Sequence, residues 1–312
     1  MSKQRSLRIL WPIDPFETES ETRAHVVEAL KKISKGRSVS IEPVYVLSPN
    51  EFDLNLTFTS PWSNEYKETS QKILFNYLSS VNLPGLLPPK ILIERQPSLG
   101  RSVRTLLNYA KKSGSQWITV GTHARKGLFR VFLGSFAETL ILHSKIPLLI
   151  VGPHSNQNKI DTILFATDLS KKTDTLFSKV LELASQLGSK ITVFHAMTHP
   201  VQPIVQSGVY LLGGGWIQWP EFISTEEEKK RKLADRYIQL GKKKGVQVKV
   251  LIDSGPTSTS SLILKNAKKE GVSLIAMAAE SGPLSAALIG STTRQVVRES
   301  ECPVWVMRSP EN

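Results

Sequence analysis

The sequence predicts two tandem α/β domains, each an open parallel sheet with helices on both faces. Three observations lead to this prediction: the chain length, the alternation of strand and helix patterns, and an internal repeat of four landmarks. The 312 residues exceed the usual length of one domain. A polar, unpatterned stretch at 152–159 separates the halves, so we expect domains at 1–153 and 159–312. We call these halves the first and the second repeat.

Each repeat begins with a short apolar run that ends in aspartate. The first run ends at Asp14 and the second at Asp168, and both have the composition of a buried parallel strand. A helix with core spacing follows each run. A second strand comes next, at 39–47 in the first repeat and at 191–197 in the second.

Each repeat continues with a strand, a helix and a further strand, and ends with a Gly-Ser pair, a helix and a proline-marked strand. The Gly-Ser pairs are Gly134-Ser135 and Gly290-Ser291. The separation between the first aspartate and this glycine is 120 residues in the first repeat and 122 in the second. The strands that close the repeats are 147–151 and 303–307. This agreement in order and spacing indicates duplication of one unit.

The composition limits the partners. The net charge of +13 suggests nucleic acid, because phosphate backbones attract clustered lysine and arginine. The basic residues, however, form short groups on predicted helices with acidic neighbours, which indicates solvated helix faces. No helix-turn-helix, RNP-type or zinc-finger pattern accompanies them. We therefore do not expect a nucleic-acid partner.

The chain has the sequence features of a cytoplasmic protein. No apolar run reaches the roughly 18 residues that a membrane span needs, so no membrane partner is expected. The single cysteine, Cys302, excludes an internal disulfide framework and a cysteine-based zinc cluster. Its apolar neighbours predict a buried thiol. We expect no metal site in the protein.

A candidate site lies where the strands of the first repeat end. Ligands of open parallel sheets bind beyond the carboxyl ends of the strands, near the switch in strand order. Asp14, Val46 and the segment that begins at Gly121 lie at such ends. Glycines let the backbone approach a ligand, and the amides that open a helix favour an anion. A phosphate fits at Gly134, with the hydroxyl group of Ser135 as a donor.

The same residues also have interpretations without a ligand. Asp14 and Asp168 can cap a turn or a helix, and Gly134-Ser135 can be a simple helix start. His123 can contact a phosphate or lie in solvent. The joint spacing of the aspartate, the glycines and the serine favours a ligand in the first repeat. His195, near a strand end of the second repeat, is interpreted as structural.

On these residues the chain resembles the universal stress protein family. Nucleotide-binding members carry Gly, two residues, Gly, nine residues and then Gly-Ser or Gly-Thr. Gly121, Gly134 and Ser135 match, whereas Ala124 stands at the second glycine. The resemblance implies two Rossmann-like domains of the adenine nucleotide α-hydrolase-like type, each with five parallel strands. The nucleotide-binding residues that it implies are Pro12, Asp14, Val46, Gly121, Ala124, Gly134, Ser135 and Phe136.

The resemblance also implies a function. We expect a cytoplasmic stress-response sensor or regulator that binds ATP, with or without Mg²⁺, or a related adenine nucleotide in its first domain. It is not expected to be an enzyme beyond slow ATP hydrolysis or autophosphorylation at Ser135, because no Walker lysine or kinase set is present. The alternative is an interaction or scaffold protein that binds no nucleotide and uses residues 198–220 or its basic surface.

The second repeat departs from the family pattern. Counting back from Gly290 places Met277 and Glu280 at the two leading glycines, although Asp168 and Ser291 remain. A carboxylate at Glu280 would repel a phosphate. We therefore interpret Asp168, Gly290 and Ser291 as vestigial and expect no nucleotide in the second domain.

Two further expectations concern packing. Residues 198–220 contain no Asp, Glu, Lys or Arg, so we expect them to cover their own domain, the other half or a lipid-like ligand, with packing between the halves as the default. A helix should follow, with Ser224 as its N-cap and Glu227 completing a capping box. Because domains of the family pair through their last strands, 147–151 and 303–307 are expected to pair within the chain. A homodimer is a further possibility.

Overall fold

The structure is a computed structural model that describes most of the chain. The described residues are 6–17, 20–49, 60–124, 131–132, 134–153, 155, 159–197, 208–210, 216–279 and 289–308. The chain divides into two compact units. Unit 1 comprises Met1–Lys159 and Ala279–Arg308, and unit 2 comprises Ile160–Ala278 and Ser309–Asn312. Unit 1 therefore contains the last helix and strand of the second repeat.

The first repeat forms four helices and seven strands among the described residues. In chain order they are β1 (Leu7–Pro12), α1 (Ser20–Ser34), β2 (Val39–Leu47), α2 (Ser60–Ser79), β3 (Lys90–Ile93), α3 (Leu99–Lys112), β4 (Trp117–Gly121), β5 (His123–Ala124), β6 (Val131–Phe132), α4 (Ser135–His143) and β7 (Leu148–Val151). The short strands β5 and β6 pair antiparallel with each other.

The second repeat follows a similar order. Its elements are β8 (Thr162–Ala166), α5 (Lys171–Leu187), β9 (Lys190–Ala196), β10 (Gly208–Tyr210), β11 (Trp216–Gln218), α6 (Trp219–Lys244), β12 (Val248–Asp253), α7 (Thr259–Lys269), β13 (Leu274–Ala278), α8 (Ser291–Glu299) and β14 (Val304–Met307). Helix α8 and strand β14 belong to unit 1, and the other elements belong to unit 2.

The sheet of unit 1 has the strand order β14-β7-β4-β1-β2-β3. The five strands that the first repeat contributes to this sheet are parallel, as predicted. Strand β1 lies at the centre, with β2 on one side and β4 on the other, so the chain reverses its direction of travel across the sheet at β1. The carboxyl ends of these three strands therefore form the switch point at which ligands of such sheets bind.

Strand β14 extends this sheet by antiparallel pairing with β7. Val304 pairs with Ile150 and Val306 with Leu148. The predicted pairing of the two last strands is therefore confirmed. All four residues of each strand are buried, so their apolar side chains favour a position inside a layered structure rather than at an exposed edge.

In unit 2 the strands β12, β9, β8 and β13 lie side by side in that order and are parallel. The predicted helix after β8 is α5, which ends at Gly188 in the left-handed conformation. Its buried residues recur with the spacing of one helix face. They are Thr173, Leu176, Phe177, Val180, Leu181, Leu183 and Ala184. Together with the parallel sheets, this confirms the predicted α/β class.

The start of α6 was predicted wrongly. The helix begins at Trp219, so Ser224 lies inside it and is not its N-cap. Pro220 is tolerated at the second helical position, because the amides of the first turn have no acceptor within the helix. Of the predicted apolar insertion, β10 and β11 form an antiparallel pair, and 198–207 and 211–215 lie outside the described residues.

Two compositional predictions can be compared with the structure. Cys302 is a free cysteine and is buried, as predicted. Within the part of the chain that the structure describes, no helix has both the length and the apolar character to cross a membrane.

Candidate functional site

A cavity of about 260 Å³ opens in unit 1 at the carboxyl ends of β1, β2 and β4. Six of the eight predicted nucleotide-binding residues line it. They are Pro12, Asp14, Val46, Gly121, Gly134 and Phe136. Ser135 is exposed and is not part of the described lining. Ala124 contributes its backbone to β5, and its side chain lies outside the described residues.

The loop after β1 is held by hydrogen bonds that orient Asp14. The Oδ1 atom of Asp14 accepts a hydrogen bond of 2.8 Å from the amide of Phe16. Arg23, on α1, donates to the carbonyl oxygens of Asp14 and Glu17, at 2.6 Å each. The guanidinium of Arg23 also lies 3.8 Å from the Glu17 carboxylate and over the ring of Tyr77. Arg23 therefore stabilises the loop that presents Asp14 to the cavity.

Burial raises the pKa of the Tyr77 hydroxyl group in this cluster. The positive charge of Arg23 opposes the rise, and the negative charge of Glu17 adds to it. Tyr77 is therefore a neutral aromatic partner of Arg23 at neutral pH, and the Glu17 carboxylate balances the Arg23 charge.

The wall formed by β1 and β2 is largely apolar. Trp11 and Tyr45 line the cavity, and both are at least 97% buried. The ring of Phe16 meets that of Tyr45 edge to face, with 6.0 Å between the ring centroids. Aromatic and aliphatic walls with a few oriented polar groups are typical of sites for planar organic ligands.

The two glycines of the motif have different physical roles. A Cβ atom at Gly121 would lie 2.5 Å from Cγ2 of Thr22 and 3.2 Å from Cγ2 of Val26. Real Cβ atoms do not approach other heavy atoms at 2.5 Å, so Gly121 is required by the packing of α1 against the end of β4. Its glycine identity is explained within the chain.

Among the described residues, no comparable contact requires a glycine at position 134. Its backbone angles, φ −59° and ψ 149°, are open to any residue. A Cβ atom there would have no described protein atom within 4 Å. Gly134 lines the cavity, so its missing side chain adds to the space that the described residues leave open there.

Helix α4 follows this glycine, and its first amides have no acceptor within the helix. No side chain among the described residues caps it. Its first internal hydrogen bond runs from the amide of Glu138 to the carbonyl oxygen of Gly134, at 3.0 Å. The amides of the three residues between them have no acceptor within the helix. Because Phe136 and Ala137 line the cavity, this helix end forms an anion-favouring part of its wall.

The corresponding strand end of unit 2 carries a closed polar network. Asp168 accepts a hydrogen bond of 2.9 Å from the amide of Ser170, which is the turn-capping role that the sequence left open. Thr167 accepts one of 2.9 Å from the amide of Leu169. Leu169 has a φ of 62°, in the left-handed region that branched residues rarely adopt. The surrounding bonds therefore hold a strained turn.

Helix α6 completes this network. Arg236 donates to the carbonyl oxygen of Leu169 at 2.7 Å and to the Asp174 carboxylate at 2.9 Å. The hydroxyl group of Tyr237, a fully buried residue, donates to the same carboxylate at 2.8 Å. Thr173 lies 3.3 Å from that hydroxyl group. Burial raises the pKa of Tyr237, so the group remains a donor at neutral pH.

His195 is part of the same structural arrangement. Its Nδ1 atom lies 2.8 Å from the carbonyl oxygen of Thr167. Burial lowers the pKa of His195, although the bond to Thr167 opposes this. The neutral ring, with a proton on Nδ1, donates to that oxygen. This geometry agrees with the structural interpretation of His195.

The strand register corrects one residue correspondence. In the first repeat, the amide of Thr122 donates to the carbonyl oxygen of Val151 at 2.9 Å. In the second repeat, the amide of Ala279 donates to the carbonyl oxygen of Met307 at 2.7 Å. Val151 and Met307 both follow the glycine of their Gly-Ser pair by 17 residues. Thr122 and Ala279 are therefore equivalent.

The counterpart of Gly121 is consequently Ala278. The sequence spacing had placed Met277 there, which is wrong. The loop before Gly290 is one residue shorter than its counterpart, which counting along the chain does not detect. Met277 is a buried residue of β13. Glu280, which was placed at the second glycine, lies outside the described residues.

The remaining predicted residues of the second repeat are not brought into one unit. Gly290 precedes α8 with φ −57° and ψ 139°, and Ser291 is the first residue of that helix. Both belong to unit 1, whereas Asp168 belongs to unit 2.

Sequence reasoning missed four residues that shape the first site: Trp11, Glu17, Arg23 and Tyr45. The aromatic residues stand at strand ends beside Pro12 and Val46, which was a usable signal. Glu17 and Arg23 gave none, because the chain has many charged residues and only the fold brings these two together.

Comparisons with known proteins agree with this architecture. The model of the universal stress protein family matches residues 6–152 and 159–308. A universal stress protein of Methanocaldococcus jannaschii is 25% identical over 147 residues, which cover 46% of this chain and 81% of that protein. A universal stress protein from Archaeoglobus fulgidus has a structure similar over 97% of both chains, with a TM-score of 0.61 and 18% identity.

A further structure is that of the universal stress protein from Archaeoglobus fulgidus in complex with dAMP. It has a TM-score of 0.33 and 17% identity, and it covers 47% of this chain and 98% of its own.

Proposed function

The chain belongs to the universal stress protein family, and from this premise we propose that it binds ATP or a related adenine nucleotide in the cavity of unit 1. The observation that carries the proposal is Gly134. Nothing among the described residues explains a glycine at this position, and the space that they leave beside it lies at the start of α4, where no described side chain caps the helix. A bound phosphate explains both features.

The lining residues suit the parts of such a ligand. The apolar wall at Val46 and Tyr45 would hold the base, and the carboxylate of Asp14 would accept hydrogen bonds from ribose hydroxyl groups. The first amides of α4 would bind a phosphate. The cavity of about 260 Å³ is close to the lower end of the roughly 300–1,000 Å³ of small-molecule sites. It therefore fits a nucleoside with its phosphates extending towards Ser135.

The protein is proposed to act as a cytoplasmic stress-response regulator rather than as an enzyme. The carboxylates of the lining, Asp14 and Glu17, bond to an amide and to Arg23, which suits holding a ligand more than moving a proton. Slow hydrolysis, or phosphorylation of the exposed Ser135, is the most activity that we propose. Mg²⁺ is proposed only as the counter-ion that ATP carries.

The second domain is proposed to bind no nucleotide. At its first strand end, Arg236, Asp174 and Tyr237 satisfy each other and the turn after β8. A ligand there would have to replace hydrogen bonds that are already made. This supports a structural role for the second repeat.

Calorimetric titration with Mg-ATP tests the proposal. The wild-type protein and Gly290→Val should bind with equal affinity, and Gly134→Val should lose binding by roughly 100-fold or more, because its side chain fills the proposed phosphate position. Gly134→Val should keep wild-type stability, since its Cβ atom meets no described protein atom within 4 Å.

Absence of binding heat for the wild-type protein, with no adenine nucleotide in its denatured extract, would contradict the proposal. The alternative, an interaction or scaffold protein without a nucleotide, would then remain.

A further inference from the structure

The pairing of β7 with β14 is centred on two equivalent residues. Leu149 follows Gly134 by 15 residues, and Trp305 follows Gly290 by 15. These two residues are partners in the antiparallel register. On either side of this pair, Ile150 is paired with Val304 and Leu148 with Val306, so a step forward in one strand is a step back in the other. The two strands are therefore related by a local two-fold axis, as in the interface of a symmetric dimer.

A two-fold axis brings equivalent positions of the two helices that precede these strands close together. Glu138 is the fourth residue after Gly134, and Arg294 is the fourth after Gly290. These equivalent residues form an ion pair, with 3.8 Å between Nε of Arg294 and Oε1 of Glu138. Arg298, one turn further along α8, approaches the same oxygen at 3.1 Å.

In a symmetric dimer of identical chains, a residue opposite its own copy meets the same charge. Here the two positions carry opposite charges only because the repeats have diverged. The side chains of these ion pairs are 31% to 45% exposed, so each pair contributes little to stability. Their effect is to favour pairing of the first repeat with the second over pairing of identical repeats, since like charges at the same place would repel.

Other contacts of this interface are also one-sided. Arg308 donates to the carbonyl oxygens of Leu142 and Ile141, at the end of α4. The position equivalent to Arg308 is Gly152, because each is 18 residues after its glycine, so no reciprocal bond can form. Trp305 packs on Trp117 with 4.4 Å between ring centroids. Its counterpart in the pairing is Leu149, which cannot make the same ring contact.

We propose that Glu138, Arg294 and Arg298 are specificity-determining residues that make the last helix and strand of the first repeat pair with those of the second repeat and reject a copy of themselves. Two first repeats would place Glu138 against Glu138. Two second repeats would bring four arginines together, from positions 294 and 298, and neither would retain the Arg308 contacts in their present form. This surface is therefore occupied within the chain and does not serve a homodimer.

Charge inversion in the full-length chain tests the proposal. The variant E138R has three positive groups at the interface, and R294E/R298E has three negative ones. Each should increase the unfolding equilibrium constant roughly 5- to 30-fold, because two weak attractions become repulsions. The triple variant E138R/R294E/R298E should recover most of the stability. The loss should shrink at high salt, as expected for partly exposed charges.

Mixing the two charge variants tests specificity directly. After denaturation and joint refolding, an exchanged dimer of E138R with R294E/R298E restores opposite charges at both interfaces. Native mass spectrometry should detect more of this mixed species than of any dimer formed by either variant alone or by wild type under the same conditions. E228K/K232E, which inverts an exposed pair on α6, should behave as wild type.

A triple variant that is as unstable as E138R and R294E/R298E, or that fails to fold, would overturn the proposal. So would a mixture with no more of the mixed species than the wild-type control. Nucleotide binding is not used in either measurement, so these results do not depend on the proposed function.

Discussion

The two units present the end of the first strand of each repeat in contrasting ways. After β1, Asp14 faces a cavity, and its loop is pinned from one side by Arg23. After β8, the turn at Leu169 is enclosed by bonds from Thr167 and Arg236. Both ends carry an aspartate that accepts a bond from an amide two residues on. The aspartate alone therefore does not distinguish a binding site from a structural turn.

The difference arises from residues far away in the sequence. An arginine bonds to main-chain carbonyl oxygens of the loop in both units, Arg23 in the first and Arg236 in the second. In the second unit, the neighbouring Tyr237 and its partner Asp174 are added, and the polar groups satisfy one another. Residues of two helices, α5 and α6, thus form a stabilising network at this strand end.

The largest expected effect is on the strand end after β8, which the network of Arg236, Asp174 and Tyr237 closes. Tyr237→Ala should lower the free energy of unfolding of unit 2 by about 3–5 kcal/mol, because it removes a fully buried ring that packs against Phe177 and leaves a cavity. Urea denaturation measures the loss. Tyr237→Phe, which keeps the ring, should cost only about 1–2 kcal/mol for the lost bond to Asp174. Equal losses in the two variants would show that packing of the ring is unimportant.

The next effect is a difference in stability between variants of Gly121 and Gly134, the two glycines that line the cavity. Gly121→Val should destabilise unit 1 by about 1–3 kcal/mol, because its side chain collides with Thr22 on α1. The matched change Gly134→Val should alter stability by less than about 0.5 kcal/mol. Thr22→Ala should partly rescue Gly121→Val, as thermal denaturation can measure. The assignment of Gly121 to helix packing fails if the two glycine variants are equally stable.

A smaller effect compares the two aspartates and depends on the proposed function. Asp14→Asn should weaken Mg-ATP binding about 5-fold, because a neutral amide is a poorer acceptor for ribose hydroxyl groups than a carboxylate. Asp168→Asn should leave the affinity unchanged. Titration calorimetry of the three proteins gives the comparison. A larger loss from Asp168→Asn would place the nucleotide in the second repeat instead.

The smallest effect is a pH dependence of stability that arises from His195, near the strand end after β8. Burial lowers the pKa of His195 below its ordinary value, so the folded state favours the neutral ring. This contribution to stability is present above the pKa of the unfolded chain and is lost as pH falls through the lower, folded pKa. Denaturation midpoints at pH 7 and pH 5 should therefore fall more for wild type than for His195→Asn. An equal fall would mean that another group carries the dependence.

Much of the architecture was predictable because it depends on local patterns. The aspartate-ended strands, the buried face of α5 and the Gly-Ser helix starts follow from composition and spacing. The pairing of 147–151 with 303–307 followed from the family resemblance. The start of α6 was wrong because Ser224 and Glu227 form a capping signal inside a helix that begins earlier.

The sequence by itself determined the duplication and the order of the main strands and helices, and its resemblance to the family pointed to six residues of the cavity wall. The tertiary structure alone decided that Gly121 is required for the packing of α1, that no described residue requires a glycine at position 134, and that Ala278 is the counterpart of Gly121 in the second repeat. It also decided that Arg23 supports an open site while Arg236 helps to close its counterpart. The reason is physical: a local pattern encodes burial and backbone conformation, whereas these roles depend on contacts between side chains and loops that are distant along the chain and meet only after packing.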